Sequence, residues 1–136
     1  MQTFLPLPDF AESARVLDWR RLGKQRVEAW MLHDMLTNPN TRFSGWLHHP
    51  ALEMWRGYDD ALSDYFWTMV AEWKRRGYRS TITLPIAVGD HLMPPWLGDP
   101  EFHASHRSNL LRKDPIWYGQ FGWIEQPDRP YVWPKS

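Results

Sequence analysis

At 136 residues the chain is one domain by length, able to bury a sizeable core without covalent staples. It has no cysteine, which excludes disulfides and thiolate metal sites; no apolar run approaches a membrane span, and the start lacks the basic and then apolar order of a secretory leader. Sixteen basic residues balance sixteen acidic ones, which disfavours a nucleic-acid partner unless the charges are segregated.

A soluble cytoplasmic protein is therefore expected. The prolines of MQTFLPLP keep the start extended. Asp9 with Glu12 three residues on resembles a capping box and predicts a first helix over residues 10–36. TNPNTRFSG has the turn chemistry of a loop. The stretch from HHPALEMW to KRRGY predicts a second long helix, broken near Gly57 and closed by basic residues and Gly77. STITLPIAVGDHLMPPWLGDP is too rich in proline for much regular structure, and PEFHASHRSNLLRK predicts a third helix with Pro100 near its start. The tail DPIWYGQFGWIEQPDRPYVWP is irregular and aromatic and is expected to pack over the helices. The expected fold is all-α, a compact single domain over residues 1–136 with about three main helices and a docked C-terminal tail.

The segment RRLGKQRVEAW, residues 20–30, departs from the pattern of an amphipathic helix. At about 100° per residue, Val16, Trp19, Val27, Trp30 and Met31 gather on one side, and Arg20 and Lys24 fall inside that arc. Glu28 continues the row at the next i, i+4 step. Gly23 beside it admits close approach of a ligand or another backbone, at a helix-propensity cost of roughly 1 kcal/mol. Either the long stems cover apolar surface with their heads in water, or the row faces an anion or a reactive carbonyl. The second reading is preferred, because departures from local rules concentrate at functional sites. A lysine held among arginines in a partly dry site is also a better amine nucleophile.

The balanced total hides segregation. Residues 15–26 hold five basic residues against Asp18, KRRGYR adds four and HRSNLLRK three more, while acids gather in residues 53–64 and 90–101. Phosphate binding is thus plausible. In FHASHRSNLLRK, His103, His106 and Arg107 share a helix face, with Asn109 nearby and Arg112 and Lys113 at the end; such groups suit phosphates and base edges. A metal would need His48 and His49 brought to this pair, and histidines without a carboxylate or cysteine partner are a weak metal signal, so no metal or other cofactor is expected. Trp117 and Tyr118 offer platforms for stacking on an exposed base, although most of the ten tryptophans must be core or tail-docking residues.

These segments carry a resemblance. MQTFLP, LDWRRLGKQ, HHPALEMW, PPWLG and FHASHRSNLLRKDPIWYGQFGW resemble the bacterial members of the pyrimidine-dimer DNA glycosylase family over almost the whole chain. The likeness to the bacteriophage-type endonuclease V enzymes of that family is looser: WRRLGK stands against an aromatic-Arg-Glu-Leu-Pro-Arg segment, AEWKRRGY against a helix end and DPIWYGQFG against the aromatic tail. The resemblance implies a small helical protein that grips double-stranded DNA carrying a lesion and flips a base out. An amine then attacks the sugar C1′, the base departs, an imine forms and β-elimination cuts the strand. Arg20 and Lys24 take the places of the motif's two arginines and Arg21 that of its glutamate, while Gln2 stands where the phage enzyme exposes an N-terminal threonine.

Three mechanistic options stay open. The α-amine of Met1 serves, as the least basic kind of aliphatic amine; or Lys24 serves, with Glu28 as proton shuttle or oxocarbenium stabiliser; or the lyase step is absent. The expected catalytic set is Met1, Arg20, Arg21, Lys24 and Glu28. The expected DNA contacts are Gln2, His49, His103, His106, Arg107, Asn109, Arg112, Lys113, Trp117 and Tyr118. The expected protein is a cytoplasmic, nucleoid-associated monomer. Alternatives are a glycosylase for another modified base and a noncatalytic DNA-binding module.

Overall fold

A computed structural model describes residues 1–135. Six α-helices follow one another: α1 Phe10–Val16, α2 Trp19–Thr37, α3 Pro50–Trp55, α4 Asp59–Arg75, α5 Pro100–Lys113 and α6 Pro115–Tyr118, with 3-10 turns at Ser44–Trp46 and Gly119–Phe121. Among the described residues there is no strand, and no helix is long and apolar enough to cross a membrane. The fold is all-α, as expected. Local signals act where they were read. Asp9 caps α1 by accepting from the Glu12 N–H at 2.8 Å, and Gly77 takes φ +96° immediately after α4.

The single helix expected over residues 10–36 is instead two. Leu17 and Asp18 are extended, and Asp18 caps α2 by accepting from the Arg21 N–H. The break is imposed from far along the chain: the buried Tyr118 hydroxyl accepts the Asp18 N–H at 3.1 Å and donates to its carboxylate. The second expected helix is broken where proposed, with Gly57 at φ +86° between α3 and α4.

The helical phase of α2 also needs correction. Its core stripe is Leu22, Gln25, Ala29 and Leu32, all buried; they pack with α4 residues such as Leu62, Phe66 and Met69 in one hydrophobic core. The arc read as apolar lies beside that stripe: Trp19 is 53% exposed, and Val16, Val27, Trp30 and Met31 are half-buried. Arg20, Lys24 and Glu28 therefore do not interrupt the core. They form a ridge between two concavities, one polar and one apolar.

The extended N-terminal segment is tied to four helices. Thr3 Oγ1 accepts from Trp55 Nε1 of α3 at 3.0 Å, and the Phe4 carbonyl accepts from the Tyr65 hydroxyl of α4 at 2.9 Å. The Phe4 N–H donates to Gln25 of α2, and the Leu5 N–H to His106 Nδ1 of α5. A buried extended segment without a sheet partner must find side-chain partners for its backbone, which is why polar groups lie in this interior.

At Gly23, a Cβ would sit 2.9 Å from Cη2 of Trp73. That indole cannot easily retreat: its Nε1 donates to the Arg79 carbonyl at 2.8 Å and its ring stacks on Tyr78 at 4.2 Å. Gly23→Ala gains roughly 1 kcal/mol of helix propensity but meets an overpacking cost of about 1–3 kcal/mol. The expected result is a lower urea midpoint with unchanged slope; a rise would show that Trp73 yields freely.

Candidate active site

The polar concavity, about 390 Å³, is lined by Met1, Gln2, Phe4, Arg20, Arg21, Lys24, Gln25, Glu28, Lys113 and Tyr131. The chain terminus, α2, the end of α5 and the tail each contribute. Four cationic side chains and the terminal amine surround one carboxylate, so the cavity attracts anions.

Glu28 is the centre of this arrangement. Its Oε2 accepts the Gln2 N–H at 3.2 Å and the Gln25 Nε2–H at 3.1 Å. Burial pushes its carboxyl above the ordinary range, opposed by the Gln2 N–H, the terminal ammonium, Lys24 and Gln25. The terminal amine is thus an electrostatic neighbour of Glu28. It neighbours His49 as well, whose imidazole is held down by burial and by that ammonium. His49 Nδ1 accepts the Ala51 N–H at 3.0 Å and caps α3, which leaves the ring proton on Nε2.

Lys113, from the last turn of α5, faces the same cavity, and burial together with Arg21, Arg112 and Lys24 lowers its pKa. Arg21 lines the cavity but pairs with Asp18 at 3.1 Å, joining the cap of α2 to the Tyr118 anchor. Arg20 lies 5.3 Å over the Trp19 ring, at the edge of the apolar concavity formed with Gly23, Val27, Met31 and Trp73.

Several expected DNA contacts lie inside the protein instead. His103, His106, Asn109 and Tyr118 are at most 2% exposed and cannot touch a duplex in this conformation. His103 Nδ1 donates to the Leu5 carbonyl at 2.7 Å while its Nε2 accepts the Gly98 N–H at 2.9 Å. Asn109 Nδ2 donates to the Ser105 and Arg129 carbonyls, holding the tail. Arg107 is engaged by Glu125 at 2.8 Å and by the Pro6 carbonyl at 2.8 Å. The polar face of FHASHRSN is therefore a clamp on two irregular segments, the extended N-terminus and the tail, whose backbones lack regular partners. Arg112 remains exposed beside Asn109, to which it donates. Trp117 is 36% exposed, with Nε1 donating to the Val16 carbonyl at 2.7 Å, and it borders a groove shared with Arg15, Trp19 and Tyr78.

His106 gives this clamp a pH signature. Its Nδ1 accepts the Leu5 N–H, and full burial, with His103 alongside, holds its pKa down to about 3. A depressed pKa contributes stability that is present above the unfolded value of about 6.5 and is lost as pH falls toward the folded one. Burial shifts His33 and His103 in the same direction. The melting temperature should therefore fall steadily between about pH 6.5 and pH 4. His106→Asn, which keeps an acceptor for Leu5, should be less stable at neutral pH but lose less on acidification; an unchanged acid slope would exclude His106 as a source.

Sequence reasoning missed Gln25. Its signal was present, as the one polar residue on the stripe 22, 25, 29 and 32, but that stripe was not the one taken for the core.

Fold and cavity together define a small helical protein with an anion-attracting cleft built around its own amino terminus and one buried carboxylate. The model of the pyrimidine dimer DNA glycosylase family matches residues 1–85, and the chain belongs to that family. It is thus an enzyme of the DNA glycosylase class, with DNA as its substrate class. The matched region carries Met1, Gln2, Arg20, Arg21, Lys24, Glu28 and His49, whereas Lys113 and the α5 clamp lie beyond it. No curated protein and no solved structure matches the chain.

Proposed function

We propose that this chain excises UV-dimerised pyrimidines from duplex DNA and then cuts the strand, using the α-amine of Met1 as nucleophile and Glu28 as the partner carboxylate. The amine lone pair attacks C1′ and the glycosidic pair leaves with the pyrimidine. Loss of the amine proton and opening of the sugar ring yield an imine. Removal of a C2′ proton then expels the 3′ phosphate. Arg20, Lys24 and Lys113 hold the phosphates flanking the reacting sugar, and Arg21 adds to the field while keeping its pair with Asp18.

One observation carries this reading. Chain termini are ordinarily frayed, yet here residues 2–5 are hydrogen-bonded to α2, α3, α4 and α5, and the amine they present is an electrostatic neighbour of Glu28. Glu28 thereby supplies, two turns later on α2, the carboxylate that the family motif has at the position of Arg21. The exposed Trp19 and Trp117, with Arg15 and Arg112, suit the strands on either side.

The test is borohydride trapping on duplexes bearing one defined lesion. A covalent complex on a cyclobutane dimer, and none on the undamaged duplex, is the expected result. Trapping on another modified base alone changes the substrate, and binding without trapping or base release reduces the chain to a DNA-binding module.

A further inference from the structure

Gln25 lies 1% exposed in the core stripe of α2, and every polar atom of its side chain is engaged. Its Oε1 accepts the Phe4 N–H at 2.6 Å and lies 2.8 Å from the Tyr65 hydroxyl. Burial keeps that hydroxyl protonated, and its single proton lies between Oε1 and the Phe4 carbonyl, 2.9 Å away on the other side. Flipping the amide would set its NH₂ against the Phe4 N–H, which can only donate, so its orientation is locked. Nε2 must then face Glu28 Oε2, which already accepts the Gln2 N–H.

We propose that Gln25 is a positioning residue of this site: it fills Glu28 Oε2 with donors and leaves Oε1 as the one oxygen of that carboxylate free to exchange a proton in the cavity. The proposal rests on the amine reading above and gives it a direction. The terminal ammonium N–H breaks, its electron pair stays on nitrogen, and the proton bonds to Oε1. When the C1′–N bond breaks and its pair leaves with the pyrimidine, the same Oε1–H supplies the proton that neutralises the departing base. A carboxylate free to rotate would present either oxygen; this one is held by the chain terminus on one side and the core amide on the other.

The groups facing Glu28 are the terminal amine, the Gln2 N–H, Lys24 on α2, Tyr65 on α4 and Tyr131 in the tail, with Arg20, Arg21 and Lys113 across the same cavity. Removing Gln25's donor withdraws one hydrogen bond from the ionised form. Gln25→Met should therefore raise the Glu28 titration midpoint, read by carbon-13 NMR of its carboxyl in the free protein, by about one unit. The acid limb of single-turnover excision should rise with it. If Gln25→Met does not fold, Gln25→Glu retains the acceptor for Phe4 and Tyr65 and sets a second carboxyl against Glu28 Oε2; the two then titrate as a pair sharing one proton, with an upper midpoint above that of Glu28 in the unaltered protein. An unmoved midpoint in a folded variant overturns the proposal, since a merely structural residue would slow excision at every pH. A midpoint that rises while the acid limb stays put upholds Gln25's hold on Glu28 and instead overturns the catalytic role given to that carboxylate.

Discussion

Glu28→Gln should leave a folded protein that binds lesion DNA and excises the base about 10²- to 10⁴-fold more slowly, the range for losing a positioned acid or base. The substitution preserves shape: a glutamine carbonyl can still accept from the Gln2 N–H and the Gln25 Nε2–H. It removes the one negative side chain in a cavity that also holds Arg20, Arg21, Lys24 and Lys113, so affinity for DNA should hold or rise while turnover collapses. Folding should be spared, because burial raises the carboxyl's pKa and a neutral amide avoids that desolvation. Single-turnover excision of a site-specific dimer, with binding and melting measured on the same samples, checks all three. A loss of only a fewfold, or a loss explained by unfolding, would take Glu28 out of the chemistry.

Blocking the terminus should have the other large effect. An added Gly-Ser at the N-terminus replaces the α-amine by an amide and forces chain through a cavity whose neighbours are fixed, since Gln2, Thr3 and Phe4 are buried and hydrogen-bonded. Imine formation should fall by about a hundredfold or more, as expected when a reacting atom is displaced. Lys24→Gln provides the contrast. Lys24 is exposed on the ridge between the two concavities, and its loss should weaken DNA binding at low salt while leaving trapping intact at saturating enzyme. If Lys24→Gln abolishes trapping and the extension does not, the nucleophile is Lys24 and the Met1 assignment falls.

Helix ends and the class of the fold were legible from sequence because their causes are local. Asp9 caps a helix three residues from its partner, Gly77 adopts the left-handed backbone its position requires, and Pro100 stands at the first turn of α5. The ridge of Arg20, Lys24 and Glu28 was legible too, since i, i+4 spacing aligns those side chains in any helix. Which side of α2 faces the core was not. The arc through Trp19, Val27 and Met31 and the stripe through Leu22, Ala29 and Leu32 are both periodic, and only the seating of α4 chooses between them. The break at Leu17 and Asp18 depends on a hydroxyl 100 residues away. The histidines of α5 read as DNA-binding groups because a polar helix face looks the same in sequence whether it meets water, phosphate or another backbone. By itself the sequence determined an all-α chain with segregated charge and a row of ionisable groups along one helix. Tertiary structure alone decided that the terminus is drawn into the bundle, that His103 and His106 clamp it, and that its amine neighbours Glu28. Those contacts join residues up to 101 positions apart, and the need of a buried, unpaired backbone for partners, not any local propensity, sets them.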